Sequence, residues 1–348
     1  MKKQTLAILR WSQSDKSVIV AIFLSGLLGI VPLLAGAQEQ SEVATATKTA
    51  STGGVVSSPL NPLQVAMMHW YGANLTTQFT AGTNPFGAAF DGANIWVADN
   101  GSNKVTKLRA SDGSILGSFA VGAAPTGVAF DGANIWVANI HGNTVTKLRA
   151  SDGTVLGTFA VGTQPVGLAF DGADIWVTNN TGNSVTKLRA SDGHLLGTFA
   201  VGTGAAAAAF DGANIWVANN GSASVTKLRA SDGHVLGTFA VGTEPSGVVF
   251  DGASIWIANF GSNNVTKLLA STGANQGTFA AGAGPNGIAF DGANIWVTDF
   301  NGARVTKLQA STGANLGTFS VGLEPTAAAF DGTNIWVTNF GGTTVSKL

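Results

Sequence analysis

The sequence predicts an all-β fold: a seven-bladed β-propeller with four antiparallel strands per blade, closed by an N-terminal outer strand that pairs with the C-terminal blade. Three observations predict it. A unit of 40 residues recurs without insertion, each unit holds four strand-like runs, and the last unit ends one strand short.

The period is read from three markers. The phenylalanine of F-D-G steps by 40 from Phe90 to Phe330, the tryptophan from Trp96 to Trp336, and the end of V-[TS]-K-L from Leu108 to Leu348. In the second unit the four runs, named a to d, cover 127–130, 135–139, 145–150 and 155–161, with Pro125 just before a. Asp131-Gly132 supplies the a–b turn and Ser151-Asp152-Gly153 the c–d turn, since Asp bonds its own backbone and Gly reaches positive φ. The seventh unit stops at the end of c. Residues 74–82, N-L-T-T-Q-F-T-A-G, resemble the missing d run and precede Pro85, so the two chain ends complete one blade. The ring domain is therefore 74–348. One tryptophan per blade at a fixed place reads as blade-to-blade packing rather than a ligand cage.

Composition agrees. Charged residues are only 11% and glycines number 47 among 348 residues, which favours short strands and Gly-bearing turns over a helical bundle. Cysteine is absent, excluding disulfides, thiolate metal sites and a cysteine nucleophile. The formal charge is −1; without residues 1–37 it is 14 basic against 18 acidic residues, or −4, the wrong sign for a nucleic-acid partner.

Residues 1–37 read as an export signal. A basic start leads into an apolar run of 17 residues, 18–34, then Ala35-Gly36-Ala37, with small residues where a signal peptidase looks. Cleavage would leave Gln38 first and no transmembrane span in the mature chain, whose location is then secreted, periplasmic or cell-surface; an uncleaved anchor is the alternative. Residues 38–73, rich in Ala, Thr, Ser and Gly, read as a flexible linker.

The repeat N-I-W-V-A-N-x-G-S-x-x-V-T-K-L-R-A-S-D-G-x-x-L-G-T-F-A-V-G-x-x-P-x-G-x-A-F-D-G resembles the YVTN and NHL-type propeller repeats over 74–348, and in form is most similar to the streptogramin-lyase propellers. That resemblance implies magnesium, a catalytic histidine set and a glutamate on one face of the ring. Only His141 lies in a b–c loop, whereas His194 and His234 follow Ser-Asp-Gly in c–d turns at the opposite end. The catalytic residues therefore do not carry over.

In this topology the b–c and d–a connections share one end of the ring, the loop face, and the a–b and c–d turns share the other, the turn face. The units diverge most on the loop face, which makes it the candidate recognition surface. Phe260, Phe300 and Phe340 occupy equivalent places in three consecutive units, with Phe86 next to them at the entrance to a. Asp99, His141, Glu244, Arg304 and Glu324 complete the expected ligand- or partner-binding set. The ends of b carry Asn139, Asn179, Asn219, Asn259 and Asn339, with Asp99 and Asp299 in the same register, an oxygen-rich ring whose two carboxylates are the candidates for Ca²⁺ or Mg²⁺. No other cofactor is expected. The F-D-G aspartates read as turn residues, and the lysines and arginines of c as a solvated outer belt. The expectation is a monomeric, exported, non-catalytic binding or scaffolding propeller for a protein, a small molecule or a carbohydrate; the alternative is a metal-assisted lyase or lactonase on the same face.

Overall fold

The computed structural model describes residues 77–348, together with two short strands, Ile8–Leu9 and Val20–Ala21, that pair antiparallel. The export signal expected over 1–37 and the linker expected over 38–73 otherwise lie outside the described residues. No helix among the described residues is long and apolar enough to cross a membrane.

Seven four-stranded antiparallel sheets follow one another in chain order. Blade 1 comprises a (Pro85–Phe90), b (Asn94–Asp99), c (Lys104–Arg109) and d (Ile115–Ala120). Blade 7 takes three strands from the C-terminus, Pro325–Phe330, Ile335–Asn339 and Thr344–Lys347, and its fourth, Thr77–Thr80, from the other end of the propeller. Thr77 stands opposite Lys347 and Thr80 opposite Thr344. The predicted closure is present. Strand a lies innermost, each against the a strand of the next blade, blade 7 against blade 1 included.

The P-x-G motif explains how the inner strands fit. Pro125 lies inside a rather than before it, where the ladder to b breaks between Pro125 and Val128, so the missing N–H costs no bond. A Cβ on Gly87, Gly127 or Gly247 would collide with a backbone carbonyl of the neighbouring blade, so glycine permits the close approach at the axis.

Stacked blades bury both faces of every sheet. In blade 1, Trp96, Ala98 and Val105 pack on Ile135, Val137 and Leu148 of blade 2, while Ile95, Val97 and Leu108 receive Trp336 and Val345 of blade 7. Six of the seven repeat tryptophans are fully buried and Trp296 is 8% exposed, which settles their packing role. Each tryptophan is held by its own turn. Trp96 Nε1 donates to Asp91 at 2.8 Å, and Asp91 also accepts from the backbone N–H groups of Ala93 and Asn94. Burial raises the Asp91 carboxyl, but the Trp96, Asn94 and backbone donors outweigh it and hold the pKa below its ordinary value. The F-D-G aspartates are thus saturated structural acceptors.

The lysines of V-[TS]-K-L are not a solvated belt. Lys107 is 8% exposed, sits 5.1 Å from the Trp96 ring centroid, and donates to the carbonyls of Ala150 at 2.7 Å and Ser151 at 3.3 Å in blade 2. Lys147, Lys187, Lys227, Lys267 and Lys347 each reach the equivalent carbonyl of the next blade, the last one crossing the closure to Ala110. The reason is the two-sided burial: lysine shares the face of its tryptophan, and the apolar stem fills the interface while the ammonium satisfies turn carbonyls. Arg109, Arg149, Arg189 and Arg229, at the end of c, do stay about half exposed, each paired with an aspartate of its own c–d turn.

Candidate functional site

Two tiers of loops build the loop face. Each b–c loop is tied to a d–a loop by backbone bonds, as where Phe260 N donates to Glu244 O at 2.9 Å and Phe340 N to Glu324 O at 3.0 Å. The residue that opens the b–c loop leans over the start of the next inner strand: Asn100 Nδ2 donates to Pro125 O at 3.1 Å, and Asn180 and Asn220 make the same reach at 3.4 Å. Phe260, Phe300 and Phe340 replace that amide with a ring.

The structure brings the phenylalanines together in two pairs. Phe86 meets Phe340 edge-on with centroids 5.8 Å apart, and Phe260 meets Phe300 at 5.9 Å, tilted by 59°. Both separations fall in the favoured range for aromatic pairs. All four rings are half-buried. Glu244 and Glu324 stand exposed beside the first and last of the three blades, each in the left-handed region at φ 53° and 51°. Arg304 is exposed opposite Asp299 on the neighbouring strand. His141 is exposed in the b–c loop of blade 2, one blade beyond Phe86.

Leu323 belongs to this surface and was not singled out from the sequence. It is 66% exposed in the d–a loop between blades 6 and 7, and packs against Gly341 beside Phe340. Its signal was available, because the other units hold Thr or Ala there: Thr83, Ala123, Thr163, Thr203, Thr243 and Ala283.

Asp99 and Asp299 occupy a different layer. Both are buried beneath the loops, where Asp99 accepts from Gly82 N at 2.9 Å and Thr106 Oγ1 at 2.6 Å, and Asp299 from Gly282 N at 3.0 Å and Thr306 Oγ1 at 2.7 Å. Their strand partners are Lys104 and Arg304. Where the same place holds Asn, the partner is Thr144, Ser184, Ser224, Asn264 or Thr344, and the asparagine Nδ2 donates to it at 2.8–3.1 Å. The chain thus uses two matched pairs, amide with a neutral acceptor and carboxylate with a cation.

Burial pushes both carboxyls up to about 6, against the lowering effect of the threonine, the glycine N–H and the basic partner. A carboxyl raised in the folded state binds its proton more tightly there than in the unfolded chain. Its contribution to stability is therefore full below about pH 4 and is lost as pH rises through 6. Asp99→Asn with Lys104→Thr, which copies blade 2, is expected to raise stability at pH 8 by on the order of 2 kcal/mol and to leave it unchanged near pH 4. Urea midpoints at the two pH values check this; equal gains at both would show that ionisation plays no part.

The magnesium and histidine set implied by the resemblance does not fit. His194 and His234 are at the turn face, and among the described residues no group of three His, Asp or Glu side chains converges. Two shallow grooves open on the turn face instead. One, of about 450 Å³, lies between blades 5 and 6 and is lined by Asp251, Ser254, Lys267, Asn294 and Gln309; another, of about 370 Å³, lies between blades 7 and 1 beside Asp331 and Lys347.

No family model matches the chain, and no curated protein does. Among solved structures it is similar to hydrazine synthase of Kuenenia stuttgartiensis, at 18% identity and TM-score 0.70, covering 78% of this chain and 96% of that one. It is also similar to a streptogramin B lyase structure, at 19% identity and TM-score 0.67 with the same coverage of both chains. At such identities the likeness is one of fold alone, that of a β-propeller.

Proposed function

We propose that this chain is an exported, non-catalytic binding propeller that holds a protein or carbohydrate ligand on the loop face of blades 5, 6, 7 and 1. The observation that carries the reading is the break in sevenfold uniformity. At one equivalent position, where blades 1, 3 and 4 carry a bonded asparagine and blade 2 carries Ile140, three successive blades carry a phenylalanine; Phe86 joins the last of them, and Leu323 stands out between. Half-buried aromatic rings with charged residues at their border are the composition of a recognition surface. Glu244, Glu324 and Arg304 would orient the ligand.

The test uses glycan and peptide arrays with the wild type and the Phe300→Ser/Phe340→Ser variant. Binding by the wild type should fall at least tenfold in the variant while the melting temperature stays within a few degrees, since both rings lie above the core. Equal binding by the two proteins would remove the aromatic surface from consideration. Robust turnover of a lactone panel by the wild type would replace the reading with the lyase or lactonase alternative.

A further inference from the structure

We propose that the turn-face groove between blades 5 and 6 is a binding site for a neutral polyhydroxylated ligand, a sugar or cyclitol. Its volume of about 450 Å³ falls in the range of small-molecule sites, and its wall departs from the repeat where it leaves hydrogen-bonding capacity open.

Five blades open strand b with asparagine. Asn94, Asn134, Asn214, Asn294 and Asn334 each donate through Nδ2 to both oxygens of their F-D-G aspartate, at 3.0–3.3 Å. Blade 5 has Ser254 there, and its hydroxyl donates to Gln276 Oε1 at 2.7 Å instead. Among the described residues Asp251 Oδ2 therefore keeps one donor, the Trp256 indole at 2.7 Å, although a carboxylate oxygen accepts two. Lys267 Nζ stands 4.0 Å from that oxygen, beyond hydrogen-bond reach, and its three protons have one acceptor among the described residues, Ala310 O at 2.7 Å. The lysine and aspartate side chains are only 13% and 8% exposed, and both line the groove.

The gap between them fits a hydroxyl. An oxygen about 2.8 Å from each atom accepts from the ammonium and donates to the carboxylate. Beside them, Gln309 takes the place of the arginine of blades 1–4; Thr312 donates to its Oε1 at 2.8 Å, which leaves Nε2 as a donor. Asn294 Nδ2 is held by Asp291, which leaves Oδ1 as an acceptor, and Ser311 adds an exposed hydroxyl. Donors and acceptors are balanced and the lining carries one cation and one anion, the complement of neighbouring hydroxyls rather than of an anion or a metal ion. The groove between blades 7 and 1 shows that an opening alone does not suffice, because there Asn334 completes the aspartate, Asp331. The site is independent of the loop face.

Saturation-transfer NMR of the purified protein with methyl α-D-glucopyranoside, methyl β-D-galactopyranoside and myo-inositol should show transfer to at least one probe, with a Kd of about 1 mM or tighter on titration. Ser254→Asn/Gln276→Leu, which copies blade 4, should weaken that binding at least tenfold without lowering the melting temperature. Gln309→Arg/Thr312→Asp, which copies blades 1–4 at the other wall, should weaken it severalfold, whereas Phe300→Ser/Phe340→Ser on the loop face should leave it unchanged. Absence of transfer to all three probes, binding that survives both turn-face variants, or binding lost only in the loop-face variant would each overturn the proposal. Displacement of the bound probe by an equal concentration of sodium sulfate would mark an anion site around Lys267 and overturn the sugar assignment.

Discussion

Trp216→Ala is expected to lower the stability of the propeller by about 3–5 kcal/mol, read as a shift of the urea midpoint with little change in slope. The indole fills the joint between blades 4 and 5, packed with Val248, Ile255 and Leu268, and its ring centroid lies 5.4 Å from that of Phe239. Its removal also strips three partners. Asp211 loses the Nε1 donor at 2.8 Å, Phe239 loses its stacking surface, and Lys227 loses the ring 4.9 Å from its ammonium while still bonded to Ala270 O. Trp216→Phe separates the contributions, since it keeps most of the volume but not the donor, and should cost clearly less. An unchanged midpoint for the alanine variant would mean that the joint is not packed as described.

A chain that begins at Thr83 is expected to lose at least about 5 kcal/mol and to unfold in two phases, the first confined to blades 7 and 1. Four ladder residues disappear, and with them Phe79, whose ring lies 5.4 Å from Trp336 and fills the space over Gly113 of blade 1. A large aromatic truncation alone costs about 3–5 kcal/mol, and the ladder bonds add roughly 1 kcal/mol each. The strand Thr344–Lys347 becomes a bare edge carrying buried Val345 into water. Hydrogen exchange resolves the result: protection should fall first in blades 7 and 1 and last in blades 3 and 4. Uniform loss around the ring, or none, would contradict the closing role of Thr77–Thr80.

The ring, its blade count and its closure were legible because a fixed period allows no freedom in where the strands go. The inward lysines were not, since alternation along V-T-K-L marks polar against apolar positions but not that stacking buries both sides of the sheet. The register of Lys107 with Trp96, visible only once b and c are paired, is what places it. Candidate residues on the loop face could be named from differences among units, yet their grouping into the pairs Phe86–Phe340 and Phe260–Phe300 depends on how far each loop leans toward the next blade. Leu323 differs in sequence from the Thr or Ala of the other units, but only its 66% exposure beside Phe340 gives that difference a place on this surface. The Asp99–Lys104 and Asp299–Arg304 matching was also present in the sequence, five residues apart, but its sense comes from the asparagine pairs it replaces.

The lysine that clasps the following blade has a consequence for how such a molecule can change. Since the clasp meets backbone oxygens rather than any particular side chain, a blade recognises its successor without regard to that successor's identity. Modules could be copied, lost or reordered in a gene without redesigning a junction, leaving the upper loops and the outer margin to drift apart. Architecture and specificity are thereby inherited as separate traits.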